Sequence, residues 1–199
     1  MFVASPLPVL DSLSQSGELA AELVEACRHG DRRALGAFVR CYERRVFAYL
    51  SRSLGNEYPI EDLAQDVFVR AYPALARFDV AGAAKLSTWL LTIAHRVAVD
   101  ARRRRREVGT AIGSEQFAST TPSPEQQLGQ EQLRAAIARA VDELPEDQRD
   151  VFVLSEFHDL STTEIARVVG VLEATVKTRL FRARARLRLA LGPLYTVEP

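Results

Sequence analysis

The chain has 199 residues, with 26 Lys and Arg against 26 Asp and Glu and an apolar fraction of 47%. That is room for one domain or two small ones in the soluble globular class, and no apolar run approaches the length of a membrane span. The balanced charge conceals a segregation: Arg96–Arg106 holds six Arg against Asp100, Ala174–Ala190 holds six cations and no acid, and Glu107–Glu173 holds thirteen acids against four Arg.

Residues 1–17 carry Pro6, Pro8, Gly17 and several serines without sustained periodicity, the pattern of a flexible tail. The segment Met1-Phe-Val-Ala-Ser-Pro has no basic n-region of a secretory signal. The spacing predicts a first helix from Glu18 to about His29, stopped at Gly30. Asp31 caps a second, in which Leu35, Phe38, Val39, Tyr42, Val46, Phe47 and Leu50 keep one apolar face to about Leu54, closed by Gly55-Asn56. Cys27 and Cys41 form no metal-ligand spacing and are expected as reduced, buried thiols of a cytoplasmic protein.

Pro59-Ile-Glu-Asp opens a third helix, because proline fits the first turn and Glu61 and Asp62 complement the helix dipole. Leu63, Val67, Phe68 and Tyr72 are expected to face inward, with Asp62, Gln65, Asp66 and Val69 outward. Taken alone, that acidic face is a solvated one. Pro73 should end or kink the helix, since it removes a donor and crowds the preceding turn. Residues 78–86 read as a loop. Ser87-Thr-Trp-Leu-Leu-Thr-Ile-Ala then starts a helix that is apolar on several faces, hence central, and runs into Arg102–Arg106. Five consecutive arginines suit a helix C-terminus but repel one another, which favours an anionic partner. His95 has no Cys or acidic cluster near it in sequence and reads as a polar helix residue.

Residues 108–123 have the Gly, Ser, Thr and Pro content of a linker and mark a domain boundary. Ser123-Pro-Glu-Gln126 is a helix start, with serine as cap and proline in first position. Leu133, Ile137, Ala140 and Val141 continue it toward Leu144, and Pro145-Glu-Asp-Gln starts a further helix carrying Val151, Phe152 and Leu154. Ser161 and Glu164 form a capping box before Ile165, Val168 and Val169, and Gly170 ends that helix. A last helix opens near Ala174 with Val176, Leu180, Ala183 and Leu187 as its apolar stripe. Lys177, Thr178, Phe181 and Arg182 lie roughly opposite that stripe on the first two turns. A buried stripe with an exposed, basic N-terminal face after a capped helix and a glycine turn is what a helix-turn-helix presents to a major groove. Gly192-Pro193 is expected to end the helix. Two basic stripes separated by acidic protein suit two contacts with a polyanion, plus acidic surfaces for protein partners.

The expected fold is therefore all-α: two small helical domains joined by a flexible linker, the C-terminal one containing the helix-turn-helix. The divisions are a tail at 1–17, a domain at 18–107, the linker at 108–123, a second domain at 124–192 and a tail at 193–199. No acid/base pair, nucleophile constellation, phosphate-binding glycine loop or metal cluster is legible, so an enzyme is the least supported class and no cofactor is expected.

From about Glu18 to Leu191 the chain resembles the extracytoplasmic-function (group IV) sigma factors, promoter-specificity subunits of bacterial RNA polymerase. Four passages carry the resemblance in order: Gly30-Asp-Arg-Arg-Ala-Leu with Tyr42; Glu61-Asp-Leu-Ala-Gln-Asp-Val-Phe-Val-Arg-Ala-Tyr72; Thr88-Trp-Leu-Leu-Thr-Ile-Ala94 with Asp100 and the arginines; and Leu144-Pro-Glu-Asp-Gln-Arg149 with the helix-turn-helix. The resemblance implies a soluble, cytoplasmic factor that docks on core RNA polymerase, directs it to −35 and −10 elements and helps melt the latter. It implies that Glu61, Asp62, Gln65, Asp66 and Arg70 meet the clamp helices of the largest subunit, and that the flap of the second-largest subunit is a further partner. Phe78, Leu86, Ser87, Thr88, Trp89 and Arg96 would line the −10 site around a flipped base, with Arg102, Arg103 and Arg104 on phosphates. For Trp89 a role as core anchor is favoured over base contact. Lys177, Thr178, Phe181 and Arg182 would face −35 bases, and Thr175, Arg179 and Arg184 phosphates. An anti-sigma factor clamped against both domains is a further implied partner. Two other readings stand beside this one: a sigma-like mimic that only sequesters an anti-sigma factor, and a free-standing helix-turn-helix regulator.

Overall fold

The computed structural model describes residues 18–55, 57–79, 82, 84–109 and 126–195. Its regular elements are helices: α1 (Ala21–Arg28), α2 (Arg32–Leu54), α3 (Ile60–Leu75), α4 (Leu86–Val108), α5 (Gln126–Asp142), α6 (Glu146–Glu156), α7 (Thr162–Val169) and α8 (Glu173–Tyr195). Most of the linker and the expected start at Ser123 lie outside the described residues.

Local chemistry accounts for the boundaries. The Asp31 carboxylate accepts from the backbone N–H of Arg33 and Ala34 at 2.8 and 2.9 Å, capping α2. Gly55 ends that helix at φ 75°, a left-handed conformation that a side chain disfavours. The capping box at α7 is complete, and Gly170 closes the helix at φ 69°. Two proline expectations need correcting. α3 runs through Pro73 to Leu75, and α8 runs through Gly192-Pro193 to Tyr195. Each proline sits in the final turn, so the ring removes a single helical bond with little helix left to break. α1 begins at Ala21, because Glu18 and Leu19 are spent on tertiary contacts described below.

α1–α4 form one bundle around Phe38, Tyr42, Val46, Leu50, Val67, Leu90, Leu91 and Val97, all at most 1% exposed. α4 is central, as its several apolar faces require. α5–α8 pack on Val151, Leu154, Ile165, Val176 and Ala183, all fully buried. The two halves are not held apart. α6 and α5 lie against α2, and α7 lies against α4, so one continuous apolar cluster runs through both. The seam between the halves carries polar and charged pairs, and it sets what the candidate surfaces can reach.

Candidate functional site

Consider first the outer face of α3. Glu61, Asp62 and Gln65 are exposed and Asp66 is half-buried. Val69, 70% exposed, and Tyr72, 46% exposed, continue the same stripe at helical spacing. Tyr72 was expected inside. It lies outside, while Phe68 packs edge-on against Phe38 at 5.8 Å between ring centroids. The stripe thus mixes carboxylates with two uncovered apolar side chains, the composition of a contact surface. Arg70 is turned to one side, its Nη1 3.0 Å from Asp100 Oδ2 on α4.

The residues expected around a flipped base are mostly inside. Phe78, Leu86, Ser87 and Thr88 are all at most 8% exposed. Phe78 and Leu86 belong to the core, and Trp89 is half-buried with its ring 5.3 Å from that of Phe78. Trp89 thus has its ring on the core side, as an anchor would. The Ser87 hydroxyl donates to Glu18. The Thr88 hydroxyl donates to Glu164 of α7 at 3.4 Å, so the second half covers the start of α4.

The arginine run divides. Arg96, Arg103 and Arg104 are exposed, with Arg103 near Asp100 and Glu107 at 3.9 and 3.8 Å. Arg105 pairs with Glu57 and lies over the Tyr58 ring, and Arg106 pairs with Glu146 of α6. Arg102, expected on a phosphate, is 5% exposed and points into the seam. Its two terminal nitrogens donate to the Asp150 carboxylate of α6 at 2.8 and 2.7 Å, and one also reaches the carbonyl and hydroxyl of Ser53 at 2.9 and 2.7 Å. Burial alone lowers the pKa of this guanidinium, but the Asp150 carboxylate outweighs it and the net direction is upward.

Next to this pair lies a histidine that sequence left isolated. His95 Nδ1 is 3.0 Å from the Tyr49 hydroxyl and 3.4 Å from Asp150 Oδ2. Its acidic neighbour comes from 55 positions along the chain, which spacing cannot reveal. Burial lowers its pKa; Asp150 opposes that, and Arg102, Arg179 and Arg96 add to it. His158, between α6 and α7, packs edge-on against Tyr49 at 5.9 Å. Burial, with Arg45 and Arg52 behind it, lowers its pKa to about 4.

In the helix-turn-helix, the α8 stripe of Val176, Leu180, Ala183 and Leu187 is buried, as its period requires. Lys177, Thr178, Phe181, Arg182 and Arg184 are exposed, Phe181 to 72%, and Thr175 and Arg179 are half-buried. The cations are not equally free. Arg179 Nε is 3.1 Å from Asp147, Arg184 is 2.7 Å from Glu156, and Lys177 is 2.8 Å from Glu173. Glu173 also accepts from Thr162 and Thr163 at 3.0 Å each, tying the start of α8 to that of α7. The Lys177 ammonium first, and then these two hydroxyls, lower its pKa to about 2.

A groove of about 1120 Å³ crosses from the first half to the second, with Val39, Phe47, Phe68, Ile137, Val141 and Phe157 among its walls. Arg52 stacks on Phe157 there, 4.5 Å from the ring centroid. Among the described residues no group of His, Cys, Asp or Glu is placed to hold a metal ion, and no helix is long and apolar enough to cross a membrane. Cys27 is buried and Cys41 half-buried, both as free thiols. Sequence reasoning missed Glu18, Ser53 and Asp150. A lone acid or serine outside a motif has no periodic signature.

Residues 38–108 match the model of sigma-70 region 2, and residues 134–187 that of sigma-70 region 4. The chain is 34% identical over 184 residues to the RNA polymerase sigma-H factor of Pseudomonas aeruginosa, covering 87% of this chain and 94% of that protein. It is 31% identical over 181 residues to the ECF RNA polymerase sigma factor SigW of Bacillus subtilis, covering 86% and 96%. Among solved structures it resembles CnrH in complex with the cytosolic domain of CnrY, at TM-score 0.62 and 28% identity over 86% of this chain and 96% of that one. It also resembles RpoE in complex with the anti-sigma factor NepR from Bartonella quintana, at TM-score 0.62 and 25% identity over 78% and 94%.

Proposed function

The chain belongs to the extracytoplasmic-function sigma factors of the sigma-70 family, and on that premise we propose how its surfaces divide the work of promoter selection. The protein is an alternative sigma factor: it binds core RNA polymerase and directs it to promoter DNA. In the proposed division, Glu61, Asp62, Gln65, Asp66 and Val69 on α3 dock on the polymerase clamp helices. The exposed Lys177, Thr178, Phe181 and Arg182 on α8 read −35 bases. Arg96, Arg103 and Arg104, spread from the middle of α4 to its C-terminal end, hold phosphates flanking the −10 element. Arg102 is reassigned from DNA to the seam between the halves.

The observation that carries this division is the unequal exposure of the surfaces. The α3 stripe and the α8 face are open in the closed arrangement, whereas the start of α4 lies under α7. Docking on polymerase and reading of the −35 element therefore need no rearrangement, but capture of the −10 strand requires the halves to part. The proposed domains are residues 18–107 and 124–192, with residues 108–123 as the tether that allows the parting. An open recognition face disfavours the mimic reading, and the region 2 match in the first half leaves no place for a free-standing regulator.

The groove across both halves suits an anti-sigma partner. Its apolar walls come from both halves, and the two solved relatives above were each captured with such a regulator or with a protein's cytosolic domain. Transcription in vitro with purified core polymerase tests the main proposal. Specific initiation at promoters that the protein occupies in cells is the expected result; tight duplex binding without core, and no initiation with it, would sink it.

A further inference from the structure

The start of α4 lacks a cap of its own. Lys85 occupies the cap position with extended backbone, φ −63° and ψ 149°, but its side chain makes no capping bond. The first turn of a helix leaves several N–H groups without intrahelical partners. Here the partner comes from a residue 69 positions earlier: the Ser87 N–H donates to Glu18 Oε2 at 3.1 Å, and the Ser87 hydroxyl donates to the other oxygen. A carboxylate at this end also complements the helix dipole. Glu18 is itself held from two further sides, by Tyr42 and by Arg45. The Tyr42 hydroxyl of α2 donates to Oε2 at 2.8 Å, the Leu19 N–H donates to that same hydroxyl at 3.0 Å, and Arg45 stands 3.7 Å from Oε1. The side chain is only 16% exposed.

We propose that Glu18 is a positioning residue for promoter opening, capping α4 from the segment before α1 and so setting the first turn of α4, in which Trp89 anchors the helix and Thr88 meets the −10 strand once α7 has moved away. The inference rests on the reading that the start of α4 meets that strand. Glu18, Tyr42 and Ser87 all belong to the first half, so the cap persists when the halves separate. It acts on the DNA through Ser87, whose N–H and hydroxyl proton are both given to Glu18.

Trp89 is the only tryptophan in the chain and sits on this turn, its backbone N–H donating to the Lys85 carbonyl at 3.0 Å. Its emission therefore reports the cap in the free protein. The test compares the parent chain, Glu18→Ala, Lys85→Ser, and the double variant, using core polymerase and a promoter fragment chosen by occupancy in cells. In Glu18→Ala, Trp89 emission should move to the red and the open-complex yield should fall about fivefold, the factor that loss of one helix cap carries, with core affinity unchanged. Adding Lys85→Ser supplies a local acceptor at the extended cap position and should restore both readouts. Unchanged emission in Glu18→Ala, normal opening by it, or a defect that survives the local cap each overturns the assignment. Emission that shifts while no promoter opens even with the parent chain overturns the promoter reading, and the positioning role with it, but leaves the cap standing.

Discussion

Arg102 of α4 and Asp150 of α6 form two parallel hydrogen bonds, 2.8 and 2.7 Å long, across the seam between the halves. Ser53 of α2 completes the site, donating to Asp150 and accepting from Arg102. A guanidinium and a carboxylate lose hydration when buried and recover it only through such paired geometry. The seam therefore depends on both partners being present.

Removing one partner should be costly. Arg102→Ala leaves Asp150 buried without its counter-charge, and a loss of about 3–5 kcal/mol is expected. Urea unfolding at neutral pH measures it. Arg102→Met with Asp150→Leu should recover most of that loss, because no charge is then stranded. A single variant as stable as the parent would show that the pair is not sequestered.

The acidic stripe on α3 is expected to be specific to polymerase. Asp62→Arg with Asp66→Arg should abolish core binding and leave the helical circular dichroism and the melting temperature close to the parent values, since neither side chain lies in the core. Val69→Asp should weaken core binding as well, by removing the apolar centre of the stripe. Native core-binding assays report both, and intact binding by the double arginine variant would remove this surface from the proposal.

Phosphate and base contacts on α8 should separate by salt. Arg182→Ala removes a cation as well as a base contact, so it should relax sequence preference and also lower the slope of log affinity against log salt by about one. Arg179→Ala should change it less, because Asp147 already compensates that charge at 3.1 Å. Phe181→Ala should relax sequence preference and leave the slope alone. The readout is −35 duplex binding by holoenzyme over a salt series; equal slope changes for both arginines would contradict the pairing.

His158 should make stability fall in mild acid. Its folded pKa, about 4, lies below the ordinary histidine value, so the unfolded chain binds the proton first as pH drops. The resulting stability is fully present above about 6.5 and is lost as pH falls toward 4. Its full extent is roughly 3 kcal/mol, taking 1.36 kcal/mol per pH unit. His95 is shifted in the same direction and adds to the slope. Urea midpoints between pH 7 and 4.5 should therefore decline more steeply in the parent than in His158→Leu. Parallel declines would mean that His158 is not buried in its neutral form.

Much of the local architecture was legible because it is written in short-range chemistry. The caps at Asp31 and Ser161, the glycine ends at Gly55 and Gly170, and the α8 stripe each follow from residues within a few turns of one another. The stops expected at Pro73 and Pro193 fall two residues early, because each proline removes only one bond to the preceding turn and the last turn closes around it. The −10 residues were placed by resemblance, and the burial of Phe78 and Leu86 in the core and of Thr88 under α7 has no counterpart in spacing.

By itself, the order of residues determined an all-helical chain with two basic stripes, an acidic α3 face and a capped helix-turn-helix, because periodicity, capping and charge act over distances that sequence measures directly. Only the folded chain decided which arginine serves DNA and which serves the protein. Arg102 and Arg103 are adjacent and chemically identical, yet a helix turns successive residues about 100° apart. One therefore meets Asp150 in the seam while the other stays in water.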